Sequence, residues 1–116
     1  MADRQFHVSV RAQASMFQDH VTQGQFRRAE SKMARMTYFW HGATFAAKAL
    51  GHNLPTQFPE IWSAWEELHA SWCALDRLGD ESGALLKPSE AEIQTILNLA
   101  TLLRDRAIEA GGAPEV

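Results

Sequence analysis

The chain has 116 residues and a formal net charge of −3, and it is 46% hydrophobic and 22% charged. This length suits one hydrophobic core, and the composition excludes a collagen-like, low-complexity or wholly disordered chain. A single cysteine excludes an internal disulfide framework and is typical of a reducing compartment, and no apolar run approaches the ~20 residues that span a bilayer. We therefore expect a soluble, cytoplasmic protein with no membrane partner.

Apolar residues recur at helical spacing near the start of the chain, and they predict a first helix over residues 4–21. Their stripe consists of Phe6, Val10, Ala14, Phe17 and Val21. The next four residues, 22–25, have the form of a capping box with Thr22 as the cap and Gln25 reaching back to it.

The second helix is predicted over residues 23–50, with Gly51 as its stop. Its apolar positions follow the spacing 3,4,3,4,3,4,3 and are Phe26, Ala29, Met33, Met36, Trp40, Ala43, Ala47 and Leu50. At 1.5 Å per residue this helix is about 42 Å long, whereas the others are nearer 30 Å. It therefore either overhangs the bundle or bends at Gly42.

A third helix is predicted to begin near Pro59, with Thr56 as its cap, and to end at Gly79 before the loop 80–83. Ser89 and Glu92 form a capping box for a fourth helix, which Gly111 and Gly112 end.

Together these elements predict an all-α fold, a small antiparallel bundle of about four helices with a long second helix. We expect residues 1–112 to form a single helical-bundle domain and residues 113–116 to be a frayed C-terminal tail. The predicted core is Met36, Trp40, Ala47, Trp65, Leu68, Trp72, Ile96, Leu97, Ala100 and Leu103.

The charge is divided unevenly along the chain. Residues 1–50 carry seven basic and three acidic side chains, a net +4, while residues 51–116 carry four basic and eleven acidic ones, a net −7. Such a division predicts either one face for polyanions and acidic partners or two halves that attract each other within the fold.

Basic residues cluster at the beginning of the second helix, away from its apolar seam. Four cations within nine residues are able to hold phosphates or an acidic protein patch, or they form a solvated face with Glu30 in partial compensation. These candidate partner-binding residues are Arg27, Arg28, Lys32 and Arg35.

The second half of the same helix is apolar nearly all round, because Tyr38, Phe39 and Phe45 lie off the seam. Either this helix is central and wrapped by the other three, or its second face binds a partner. Aromatic residues beside arginines are typical of interface hot spots. Trp62, which lies off the main stripe of the third helix, is the tryptophan that we expect at an interface.

The sequence contains one candidate group for metal binding or catalysis. It lies in the third helix, where Glu66, His69 and Cys73 share a side. A di-iron bundle needs a second Glu-x-x-His, and a Cys–His nucleophile needs an orienting group and an oxyanion site; the sequence offers neither. We expect no metal, no cofactor and no enzymatic activity.

Arg104 falls within the apolar arc of the fourth helix, which predicts a salt bridge with Asp76 or Asp80, a snorkelling side chain or a partner.

The leading hypothesis is a small helical protein–protein interaction module, such as an accessory subunit, an adaptor or an inhibitor docking on a larger complex. The alternative is a helical subunit that contacts nucleic acid within a nucleoprotein complex through the basic face of the second helix. A homo-oligomer is compatible with either hypothesis. No family motif is present with its residues in place.

Overall fold

The computed structural model describes residues 2–76 and 88–112, and every regular element within them is helical. The elements are α1 (Ala2–Thr22), α2 (Phe26–Ala49), the short α3 (Leu54–Gln57), α4 (Pro59–Asp76) and α5 (Glu90–Ala107), which a π-helical turn (Ile108–Gly112) follows. The expectation of an all-α bundle with a long second helix is confirmed. At 24 residues α2 is about 36 Å long.

The turn between α1 and α2 differs from the predicted capping box. Gly24 has φ +72°, its N–H donates to the Val21 carbonyl (3.1 Å), and the Gln25 N–H donates to the His20 carbonyl (2.8 Å). This is a Schellman motif, which satisfies the last carbonyls of α1. Thr22 is therefore the last residue of α1, and the residue that precedes α2 is Gln25, whose side chain makes no cap hydrogen bond.

The end of α2 repeats this arrangement at Gly51, as predicted. Gly51 has φ +81°, and the His52 N–H donates to the Ala47 carbonyl at 2.8 Å. The cap predicted at Thr56 is wrong, because the chain forms α3 before α4. Asn53 caps α3 instead, and its side chain accepts a hydrogen bond from the Thr56 N–H at 3.0 Å.

Two of the predicted helix starts are confirmed. Pro59 is the first residue of α4. Ser89 caps α5 in a complete capping box, with Glu92 Oε1 accepting from the Ser89 N–H at 2.9 Å. The predicted stop at Gly79, the loop 80–83 and the tail 113–116 lie outside the described residues.

The core lies where α1 packs against α2 and α5, and where α5 packs against α4. Trp40 stacks on Trp65 with 5.3 Å between ring centroids, and Phe17 meets Trp72 edge to face. Eight of the ten predicted core residues are buried, whereas Ala47 and Leu97 are half-buried at its edge. Ala47 packs against the edge of the core in the last turn of α2, and the residues that follow it, up to Leu50, are exposed.

The molecule measures 43 × 33 × 18 Å, so it is thin in one direction. A helix about 10 Å wide cannot be covered on all sides in an 18 Å layer. Consistent with this, α2 remains one continuous helix through Gly42 and keeps one side in solvent. The interpretation of α2 as a central, wrapped helix is wrong, and the interpretation with an uncovered second face describes the molecule.

Candidate functional site

A groove of about 610 Å³ lies beside the turn that joins α1 to α2. All four basic residues that the sequence grouped together line it. We call it the basic groove, and its lining is Met16, His20, Gly24, Gln25, Phe26, Arg27, Arg28, Ser31, Lys32 and Arg35.

The Schellman turn and the helical repeat place these side chains. The turn folds α2 back beside α1, so that His20 of α1 faces the first turns of α2. His20 Nδ1 lies 3.1 Å from Gln25 Oε1, which joins the two sides of the turn. Arg28, Lys32 and Arg35 follow at spacings of four and three and therefore occupy one flank of α2.

The basic groove carries four cationic side chains. None of the described residues that line it is acidic. Within residues 2–76 and 88–112, the four cations make no ion pair. Glu30, the acidic residue that could compensate them, is turned towards α4 and accepts a hydrogen bond from the indole N–H of Trp72. The basic groove is therefore suited to an anionic ligand or partner.

A second, shallower groove of about 460 Å³ lies farther along the same α1–α2 boundary. Its floor includes Phe39, which stacks on Phe6 with 5.7 Å between ring centroids and 15° between planes. We call it the aromatic groove, and its lining is Gln5, Phe6, Ser9, Tyr38, Phe39, Gly42 and Ala43.

Large apolar side chains are exposed beside the aromatic groove. Tyr38, Phe45 and Leu50 each expose 76% of their surface, and all three belong to α2 or its C-terminal cap. Gly42, Ala46 and Ala49 are also exposed on this side. Exposed large apolar residues grouped on one helix end are typical of an interaction surface.

The two grooves form one strip. Residues 28, 32, 35, 39 and 42 follow one another at spacings of four and three, so they make a single row along α2. The row begins with cations and ends with apolar and aromatic residues. We call the row, its two grooves and the adjoining Tyr38 and Phe45 the α1–α2 surface.

Trp62 is separate from this surface. It belongs to α4, is half-buried, and packs edge to face on Trp40 with 5.6 Å between ring centroids. Of the eight predicted partner-binding residues, seven lie on α2; six of these line the two grooves, whereas Phe45 and Trp62 line neither.

The α1 residues of the α1–α2 surface were not predicted from the sequence. They are Gln5, Ser9, Met16 and His20. These residues follow the flank of α1 next to its buried stripe. Their residue types carry no signal for binding, and they become part of a groove only because α2 folds back beside them.

The predicted chemical group on α4 is partly assembled. Cys73 Sγ lies 3.5 Å from His69 Nε2 on the exposed side of the helix, and the His69 ring stacks on Trp65. Glu66 is exposed on the same helix. Among the described residues, no group of three or more His, Cys, Asp or Glu side chains is placed to hold a metal ion.

Arg104 forms a local salt bridge, with Asp105, a residue that the sequence analysis did not name. Its Nη2 lies 3.4 Å from Asp105 Oδ1, and its Nη1 donates to Gln18 Oε1 of α1 at 3.2 Å. Gln18 in turn donates to Thr101 Oγ1 at 2.6 Å. These contacts tie α5 to α1. Asp80 and the side chain of Asp76 lie outside the described part of the structure.

The chain matches no protein-family model, no curated protein and no solved structure. No helix that the structure describes is both long enough and apolar enough to cross a membrane. The α1–α2 surface remains the feature whose geometry and charge most directly suggest a function.

Proposed function

We propose that this protein is a small helical interaction module, an accessory subunit, adaptor or inhibitor, that docks on a larger protein through its α1–α2 surface. The observation that carries the proposal is that four cations, which form no ion pair with the described residues, are followed along α2 by an exposed aromatic end. In this proposal the protein acts by binding and not by catalysis. A cytoplasmic location is also proposed, on the basis of a single cysteine.

The residue types of the surface support protein binding. Arginine and tyrosine are enriched among the interface residues whose truncation to alanine costs the most binding free energy. They contribute most where binding removes them from water. Tyr38 and Phe45 are exposed and project from a rigid helix, so a partner that covers them gains apolar burial with little loss of side-chain entropy. The cations beside them supply long-range attraction and orientation.

Nucleic-acid binding is the alternative that the same cations allow, because Arg and Lys also contact phosphates. The four cations on one groove favour it. The rest of the charge distribution opposes it, since residues 51–116 carry a net −7 and repel a polyanion.

Affinity capture from native lysate, with and without nuclease, tests the proposal. The bait is the wild-type chain, Lys32→Glu or Lys48→Glu. The two substitutions are matched, because both reverse a lysine on α2 but only Lys32 lines the basic groove. We expect wild type and Lys48→Glu to retain a stoichiometric, nuclease-resistant protein and Lys32→Glu to lose most of it.

Two results would contradict the proposal. A partner set that nuclease removes supports the nucleic-acid alternative. A protein partner retained equally by wild type and Lys32→Glu shows that docking uses another surface.

A further inference from the structure

We infer that the segment that occupies the α1–α2 surface is a helix of a partner protein that is rich in carboxylates at one end and apolar at the other. This inference rests on the proposed function and deepens it, because it names the chemistry and the secondary structure of the partner segment. Three features of the described residues carry it: the order of charge along α2, the length of the surface, and the small exposed residues at its apolar end.

Charge changes abruptly along α2. The four cations of the basic groove fall within residues 27–35, and residues 36–47 contain no Asp, Glu, Lys or Arg. Glu30 does not lie among the cations of the basic groove, because its carboxylate accepts a hydrogen bond from Trp72 on the side of α4. A complementary segment must therefore carry its negative charge at one end and apolar side chains at the other.

The length of the surface suits a helix. From Arg27 to Phe45 the surface covers 19 residues of α2, and the rise between the first and the last is about 27 Å at 1.5 Å per residue. A partner helix of about 18 residues spans this distance when it lies alongside α2. A helix in a groove is recognised through its own side chains three and four residues apart, so such a partner can present one row of side chains along the row on α2.

Small exposed residues at the apolar end of the surface leave room for a second helix to approach α2 closely. Gly42 and Ala46 are exposed next to the large side chains of Tyr38 and Phe45, on the same face of α2. A Cβ atom placed on Gly42 meets nothing within 4 Å, so the space above it is open. A second helix can approach closely over these small residues and contact the two aromatic side chains along one edge.

A protein segment fits this pattern better than the other occupants. Nucleic acid carries charge at every nucleotide, and an uncharged aromatic half leaves part of its phosphates unmatched. A second copy of this chain would have to bring its own acidic residues to the basic groove, and it is distinguished by a change in oligomeric state.

Fluorescence anisotropy with defined probes tests the inference. The first probe is a labelled 18-residue helical peptide with glutamates in one half and leucines in the other. The second has the same composition with the glutamates interleaved evenly, and the third is an 18-base-pair DNA duplex. We expect the segregated peptide to bind at least about tenfold more tightly than the interleaved one, since only its charges coincide with the cations.

Two variants of this chain locate the site. Gly42→Leu should remain folded, because its side chain enters open space on an exposed helix face, yet it should weaken the segregated peptide about tenfold by blocking the close approach. Lys32→Glu should weaken the same peptide to a similar extent, and Lys48→Glu should leave it within about twofold. Circular dichroism of each variant confirms that the helices are intact.

Several results would overturn the inference. Equal binding of the two peptides, or no binding of either while Lys32-dependent capture of a protein persists, refutes the acidic helix but leaves the docking function standing. Tighter binding of the duplex refutes both. A self-association that Gly42→Leu abolishes, seen by analytical ultracentrifugation, identifies a second copy as the occupant and refutes the partner helix.

Discussion

The indole N–H of Trp72 on α4 donates a hydrogen bond to the carboxylate of Glu30 on α2. Trp72 is 2% exposed, so its N–H has little access to water and depends on this acceptor. The same bond turns the carboxylate of Glu30 away from the basic groove. One contact therefore joins α2 to α4, and Glu30 is absent from the described lining of the basic groove.

Removing that acceptor should destabilise the fold. Glu30→Ala should lower the free energy of unfolding by about 1–3 kcal/mol, because a buried donor is left without a partner. Glu30→Gln keeps an amide oxygen that can accept the bond and should lose less. Urea denaturation measures both values. Equal stability of wild type and Glu30→Ala would show that the Trp72 N–H does not depend on Glu30.

The stack of Trp40 on Trp65 predicts a large cost of truncation. Trp65→Ala should lower the free energy of unfolding by about 3–5 kcal/mol, as for large aromatic side chains in protein cores. This is a large part of a typical stability of about 5–15 kcal/mol. Trp62→Ala is the control and should cost less, because Trp62 is half-buried. Denaturation followed by circular dichroism at 222 nm compares them, and an unchanged Trp65→Ala variant would contradict this packing.

The turn between α1 and α2 predicts which of two residues controls it. Gly24→Ala should lower the free energy of unfolding by about 1–2 kcal/mol, because φ +72° is strained for a residue with a Cβ atom. Gly24→Asn should cost less, since Asn tolerates this conformation. Thr22→Ala should have little effect, because Thr22 is an exposed end residue of α1 and not a cap. A larger cost at Thr22 than at Gly24 in thermal denaturation would restore the capping-box interpretation.

The basic groove predicts opposite effects of one substitution on stability and on binding. Arg28 lies four residues before Lys32 and Arg35 three residues after it, so the three cations repel one another along the helix. Lys32→Glu should raise the free energy of unfolding by about 0.5–1 kcal/mol at low salt, and this gain should shrink as salt increases. Lys48→Glu, in the last turn of α2, should lower stability slightly because it opposes the helix dipole.

Denaturation of both variants at low and high ionic strength tests this prediction. A Lys32→Glu variant less stable than wild type at low salt would mean that Lys32 makes a favourable contact in the fold. In that case its effect on partner capture could not be attributed to the groove alone.

Local patterns in the sequence were sufficient for several parts of the fold. The spacing of apolar residues placed α1, α2 and α5, and the capping box at Ser89 marked the start of α5, because helical hydrogen bonds and caps join residues three to five positions apart. At residues 22–25 the sequence is compatible with two local patterns, a capping box at Thr22 and a Schellman motif at Gly24. The structure contains the Schellman motif, which satisfies the carbonyls of α1 that a cap at Thr22 would leave without a hydrogen bond.

The sequence also determined that four cations share one side of α2 and that aromatic residues follow them. Only the tertiary structure decided that this side remains in solvent, because an apolar helix face has the same pattern whether a neighbouring helix or a partner covers it. Packing likewise turned Glu30 towards Trp72, brought His20 of α1 into the lining of the basic groove, and placed Trp62 against Trp40. These are contacts between residues far apart in the chain or on different helices, and they depend on how the helices pack and not on the repeat of any one of them.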